Sequence, residues 1–181
     1  MILSDSELVE MLREPRTRRE GFAVLVKQYS EKLYWKVRRI VLSHEDANDV
    51  LQNVFIKVWN NLQNFQGKSS LSTWLYRIAI NESLDFLRKQ KLSDRVSADE
   101  DVSVASRLMS DEYFDGDEVQ ARLQEAVARL PEVQRMVFNL KYFEEMKYSE
   151  ISQILNTSEG ALKASYHLAV KKITEYLHLF D

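Results

Sequence analysis

Between residues 50 and 62 the apolar side chains Val50, Leu51, Val54, Phe55, Val58, Trp59 and Leu62 recur at i, i+1, i+4, i+5, i+8, i+9 and i+12. A helix with 3.6 residues per turn gathers all of them on one stripe, whereas a strand would scatter them over both faces. The stripe predicts a helix of about five turns. Its opposite face carries Asp46, Asn48, Asp49, Gln52, Asn53 and Lys57. On spacing alone that face is either plainly solvated or a docking surface.

The same period runs through most of the chain. Four glycines and two prolines in 181 residues are too few for a turn-rich, multi-stranded protein. The expectation is therefore an all-α fold. Ser4, with Glu7 three residues on, makes a capping box for an opening helix that ends before Pro15. From Gly21, the positions Phe22, Leu25, Val26, Tyr29, Leu33, Val37 and Ile40 keep helical spacing. A further helix is predicted from Ser72, as its N-cap, to about Lys91, with Leu71, Trp74, Leu75, Ile78 and Ala79 inward.

Charge divides the chain. Residues 1–95 carry 16 Lys+Arg against 12 Asp+Glu, residues 96–120 carry one against eight, and residues 121–181 carry eight of each. The acidic stretch also loses helical periodicity, so residues 96–118 read as a flexible acidic linker between two small helical domains, 1–95 and 119–181. With no cysteine, disulfides, Cys-based zinc sites and thiol nucleophiles are excluded. His44, His167 and His178 lie far apart in sequence and form no convincing metal set. No apolar run approaches the roughly 18 residues of a membrane span, and the N-terminus lacks a signal-peptide layout. The chain is expected to be cytoplasmic.

Two segments carry nucleic-acid signals. Phe65, Trp74 and Tyr76 interleave with Lys68, Arg77 and Arg88, and flat aromatic faces beside cations suit stacked, unpaired bases and their phosphates. Core packing of Trp74 fits the spacing equally well. Farther on, residues 119–130 are expected to turn Val119, Leu123, Ala126, Val127 and Leu130 inward. The next helix, opened by Pro131, should turn Val133, Met136, Val137, Leu140 and Phe143 the same way. A short helix, 149–155, then meets Asn156, which tolerates a left-handed helix end. Ser158 caps a second helix from Glu159, with Leu162, Tyr166, Ala169 and Ile173 inward. This is a helix-turn-helix pattern, or an ordinary helical hairpin. Its outer face offers Gly160, Lys163, Ala164, His167 and Lys171. A Gly-rich phosphate loop, a nucleophile elbow and H-E-x-x-H are all missing, so the chain is expected to have no enzymatic chemistry, no cofactor and no small-molecule substrate.

The string DANDVLQNVFIKVWNNLQNFQGKSSLSTWLYRIAINESLDFLRKQ resembles region 2 of bacterial sigma-70-type factors. The string LPEVQRMVFNLKYFEEMKYSEISQILNTSEGALKASYHLAVKKI resembles region 4. With nothing recognisable as region 3 between them, the chain resembles the extracytoplasmic-function (ECF) sigma factors over roughly residues 20–92 and 119–177. The resemblance implies that Asp46, Asp49, Gln52 and Asn53 dock on the beta-prime clamp helices of core RNA polymerase, with the beta flap as a further contact. It implies that Phe65, Lys68, Ser72, Trp74, Arg77, Asn81 and Arg88 open and hold the minus-ten element of promoter DNA. Ser158, Gly160, Lys163, Ala164, His167 and Lys171 would then address the minus-35 duplex. Many members of the family answer to an anti-sigma factor, often membrane-anchored, which makes such a protein a candidate partner. Ser165, Leu168 and Val170 depart from the family, standing where arginines are common. Lys147 stands where a capping serine is usual. A stand-alone, dimeric helix-turn-helix regulator is the competing reading; it leaves the aromatic-basic segment unexplained.

Overall fold

The computed structural model describes residues 2–92, 114 and 116–180. Most of the acidic stretch expected to be a linker lies outside these described residues. The chain divides into two compact units, Met1–Val96 and Ser97–Asp181, and the described residues hold α-helices, short 3₁₀ turns and one π turn, with no strand.

In the first unit, α1 (Asp5–Arg13), α2 (Arg18–Val41), α3 (His44–Asn61) and α4 (Leu71–Leu92) form a bundle in which α2, α3 and α4 all pack on one another and α1 lies against α2. The capping box on α1 is present: Ser4 Oγ accepts from the Glu7 N–H and the Glu7 carboxylate accepts from the Ser4 N–H. Close approach of α1 to α2 needs Gly21, because a Cβ there would lie 2.8 Å from Met11 Cβ. Tyr29 adds a tie by donating its hydroxyl to Asp5; burial, and then that bond, push its phenol up. Only Leu42 and Ser43 join α2 to α3. This tight joint holds Leu42 at φ 69°, a costly conformation for a leucine, while Ser43 Oγ accepts from the Asp46 N–H and starts α3.

The core of this unit follows the predicted periodicity, with one refinement. Val50, Val54, Val58 and Leu62 are buried, as are Leu71, Leu75 and Ala79. Trp59 sits at the edge of its stripe, partly exposed and edge-on to Phe22 at 5.0 Å. The cap of α4 differs from the expectation. Helix α4 begins at Leu71, and Ser70 rather than Ser72 supplies the cap, its Oγ accepting from the Thr73 N–H at 3.2 Å. Ser72 falls inside the first turn, its hydroxyl 3.0 Å from that of Ser70.

The second unit holds α5 (Glu118–Ala128), α6 (Glu132–Phe138), α7 (Tyr148–Leu155) and α8 (Glu159–Leu177). Helix α8 is the hub, packed by α5, α6 and α7. Ala126, Val127, Leu130, Phe138, Ala169 and Ile173 form its core. Buried Glu125 pairs with Arg129 at 3.1 Å, and Arg129 stacks over Tyr176 of α8 at 4.9 Å, fastening α5 to α8.

Two inward assignments are corrected here. Val119 and Val133 are 69% and 57% exposed; each lies in the first turn of its helix, before the apolar face reaches the core. The helix from Pro131 also does not run straight through Phe143. Pro131 is its N-cap, α6 ends at Phe138, and Asn139–Phe143 form a π turn. Its last bond is Glu144 N–H to Asn139 C=O at 3.2 Å. The extra residue in that turn shifts the register, which a fixed 3.6 period does not anticipate.

Candidate nucleic-acid and polymerase interfaces

Three surfaces carry the residues singled out from the sequence. The first is the polar face of α3. Asp49, Gln52 and Asn53 are exposed and Asp46 is half-buried. Partial burial, with help from the neighbouring charges of Asp49 and Glu45, raises the Asp46 carboxyl above the usual range against the pull of Ser43. His44 precedes the face, its two ring nitrogens engaged by Tyr34 Oη at 2.7 Å and Asn48 Nδ2 at 3.0 Å. Lys57 is taken up by an ion pair with Glu82 of α4. Ile56 belongs to the same surface and was missed. It is exposed, four residues after Gln52 and seven after Asp49, a spacing that would have found it.

The second surface spans the joint between the 3₁₀ turn Leu62–Asn64 and α4. Phe65 and Trp74, nine residues apart, come together with ring centroids at 5.1 Å and a tilt of 47°. Trp74 is half-buried, so one part of its ring packs on the chain and another faces solvent. Trp74, Arg77, Asn81 and Arg88 follow at i, i+3, i+7 and i+14, one face of α4. That row extends about 21 Å from Trp74 to Arg88 at 1.5 Å per residue. Arg77, Asn81 and Arg88 are exposed, and Arg88 pairs with Asp85 at 3.0 Å. Lys68 is exposed in the intervening loop, where Gly67 turns the chain at φ 71°. Ser72, two residues before Trp74, lies on the other side of the first turn from this row. Tyr76 is engaged elsewhere, its ring covered by Lys36 of α2 at 4.0 Å.

The third surface is built by α7, the turn and α8. Lys147 has no acceptor to cap α7, yet the helix starts at Tyr148 because the Glu150 carboxylate accepts from the Lys147 N–H at 3.0 Å. Asn156 ends α7 in the left-handed conformation, φ 50° and ψ 48°, as the sequence led one to expect. Ser158 Oγ accepts from the Ala161 N–H at 3.3 Å and caps α8. Leu162, Ala169 and Ile173 point inward, and Gly160, Lys163, Ala164, His167 and Lys171 all face solvent. Lys163 lies on the flank nearest α7, its ammonium 5.7 Å from the Tyr148 ring centroid, with Lys141 at 4.9 Å from the same ring. Tyr148 itself packs edge-on to Tyr166 of α8.

Comparison with known proteins finds two matching regions in the chain. Residues 25–93 match the family model Sigma-70 region 2, and residues 120–173 match Sigma-70, region 4. The ECF RNA polymerase sigma factor SigW of Bacillus subtilis is 32% identical over 157 residues, covering 82% of this chain and 84% of the relative. This chain belongs to the ECF sigma factors. The RNA polymerase sigma-H factor of Pseudomonas aeruginosa is 31% identical over 96% of this chain and 93% of its own length. The ECF sigma-E factor of Escherichia coli K12 is likewise 31% identical, over 90% of this chain and 88% of its own. Among solved structures, CnrH in complex with the cytosolic domain of CnrY shares the fold with a TM-score of 0.60 at 20% identity, covering 98% of this chain and 96% of that one. The sigma factor RpoE of Bartonella quintana, in complex with the anti-sigma factor NepR, gives 0.62 at 18% identity, covering 88% and 98%.

As a sigma factor, the chain binds core RNA polymerase and directs promoter-specific initiation of transcription, recognising the minus-35 duplex and melting the minus-ten element. Its region 4 is a DNA-binding helix-turn-helix. Among the described residues, no cluster of His, Asp and Glu could hold a metal ion, and no helix is long and apolar enough to cross a membrane.

Proposed function

We propose that this sigma factor divides its work among the three surfaces residue by residue. Asp46, Asp49, Gln52 and Asn53, with Ile56 among them, dock α3 on the beta-prime clamp helices. Phe65 and Trp74 form the stacking platform for an unpaired base of the minus-ten element. Lys68, Arg77, Asn81 and Arg88 track its backbone, and Ser72 serves from the first turn of α4. In region 4, Gly160, Ala164, His167 and Lys171 face the major groove of the minus-35 duplex. Lys163 contacts its backbone, and Ser158 holds the helix start through its cap. Residues 1–95 and 119–181 act as separate modules joined by the acidic stretch 96–118.

The observation that carries this reading is the Phe65–Trp74 pair at 5.1 Å, half-buried at the head of a row of exposed cationic and amide side chains. Stacking on such a platform is tolerant of base identity and worth about 1–3 kcal/mol per base. The factor carries out no chemistry of its own, works in the cytoplasm, and has an anti-sigma factor as a partner, in keeping with the RpoE–NepR complex of the same fold. With a formal net charge of −3, the free chain is expected to bind DNA weakly, because phosphate neutralisation supplies most non-specific affinity.

Run-off transcription with purified core polymerase, this protein and a genomic promoter library tests the reading. Specific transcripts that need the protein are expected, sharing one upstream and one downstream element. Absence of both transcripts and polymerase binding would overturn it.

A further inference from the structure

The solvent face of α8 is unusual in what it lacks. Its centre is a row of Gly160, Ala164, His167 and Lys171, flanked by the row Ala161, Ala164 and Leu168, all exposed. Leu168 is 46% exposed although it stands in the middle of a helix whose apolar face is already satisfied by Leu162, Ala169 and Ile173. Only His167 and Lys171 offer hydrogen bonds from the central rows, and Lys171 also lies 3.9 Å from Glu175. Lys163 is drawn aside to the Tyr148 ring. Gly160 has nothing within 4 Å of where a Cβ would stand. Gly160 is the second residue of α8, in its first turn, and no neighbouring atom of the unit requires a glycine there. It leaves room for another surface to come close.

A major groove offers hydrogen-bonding edges and one apolar group, the C5 methyl of thymine. A helix face of alanine and leucine matches only the second. Between Gly160 and Lys171 the face is about 16 Å long, enough to lie along several base pairs.

We propose that α8 reads its duplex element through thymine methyl groups, with Leu168 and Ala164 as the residues that meet them. His167 and Lys171 supply the neighbouring polar contacts. This inference rests on the assignment of α8 to the minus-35 duplex and names the chemistry by which it discriminates. Its consequence is a preference for A·T pairs of defined strand polarity, since the methyl lies on one strand only.

The test uses holoenzyme and the strongest promoter recovered from the run-off library. Each thymine of the upstream duplex element, on either strand, is replaced singly by deoxyuridine, which keeps base pairing and removes only the methyl. Binding is expected to weaken roughly three- to fivefold at one or two positions, about what burial of one methyl-sized group contributes. The loss at the thymine that Leu168 meets should disappear in Leu168→Ala holoenzyme. Leu168→Arg should shift the preferred base at the same position towards guanine. Binding indifferent to deoxyuridine at every position would overturn the inference, as would losses that all persist unchanged in Leu168→Ala. Failure to obtain any protein-dependent transcript would instead overturn the promoter-reading assignment on which it rests.

Discussion

The surfaces proposed to meet DNA differ in chemical character between the two units. The α4 surface proposed for the minus-ten element combines an aromatic pair with exposed Arg77, Asn81 and Arg88, whereas the central rows of α8 set Gly160, Ala161, Ala164 and Leu168 beside His167 and Lys171. The contrast fits what each partner strand presents. An unpaired strand exposes flat bases and a charged backbone, which stacking and cations meet without reading sequence. A duplex hides the base faces and shows only groove edges, so discrimination depends on which small groups a helix places there. The units are also built differently. The first relies on long helices with a continuous core. The second packs three shorter helices on α8 with local devices: the Asn156 turn, the Ser158 cap and the Glu125–Arg129–Tyr176 tie.

The largest effect expected from this contrast is in the long-helix core. Leu75→Ala removes a fully buried side chain of α4 and should cost about 2–5 kcal/mol in urea unfolding. Ile56→Ala, on an exposed position, should change stability by no more than about 0.5 kcal/mol. Equal losses would mean that Ile56 is core and not part of the docking face. Next comes the turn in the second unit. Asn156→Val forces a β-branched residue into the left-handed region and should cost about 1–2 kcal/mol, whereas Asn156→Gly should be tolerated. If valine is accepted, the turn does not depend on that backbone conformation.

Helix capping gives a smaller effect and separates two serines. Ser70→Ala should cost about 1 kcal/mol, and Ser72→Ala less, because the Ser70 hydroxyl receives the orphan N–H of α4. The reverse order would return the cap to Ser72. The smallest effect concerns Asp46. Its folded-state pKa is raised, chiefly by burial and then by Asp49, so the folded chain holds the proton more tightly than the unfolded one. Stability therefore falls as pH rises through that window. Asp46→Asn should gain less than about 0.5 kcal/mol at neutral pH, since the half-buried site is still reached and screened by solvent. The gain should vanish below the carboxylate range, while affinity for core polymerase drops. A gain that grows on acidification would contradict the sign.

How much was legible in the sequence follows the same division. The bundle of the first unit could be read because Val50, Val54, Val58 and Leu62 keep one period over several turns. The caps at Ser4 and Ser158 and the left-handed Asn156 were equally visible, being local chemistry set by single side chains. Periodicity failed where the helices are short. Val119 and Val133 sit in first turns, where the apolar rhythm runs ahead of the packing, and the π turn at Asn139–Phe143 adds a residue that no fixed period anticipates. The contact between Phe65 and Trp74 was legible as a pattern of residue types but not as geometry. Their approach depends on how the 3₁₀ turn and Gly67 fold the loop back. The pairing of Lys163 with Tyr148 joins two helices across the turn, and no spacing rule connects them.

The central claim is that opening and duplex recognition reside in different units. Permanganate reactivity of unpaired thymines and upstream footprinting, measured together on one promoter with Trp74→Ala and Lys171→Ala holoenzymes, test it most directly. Trp74→Ala should lose reactivity in the minus-ten element while the upstream footprint stays intact. Lys171→Ala should weaken the upstream footprint, with opening restored at high protein concentration. A Trp74→Ala holoenzyme that opens DNA normally, or that loses the upstream footprint as well, would contradict the division.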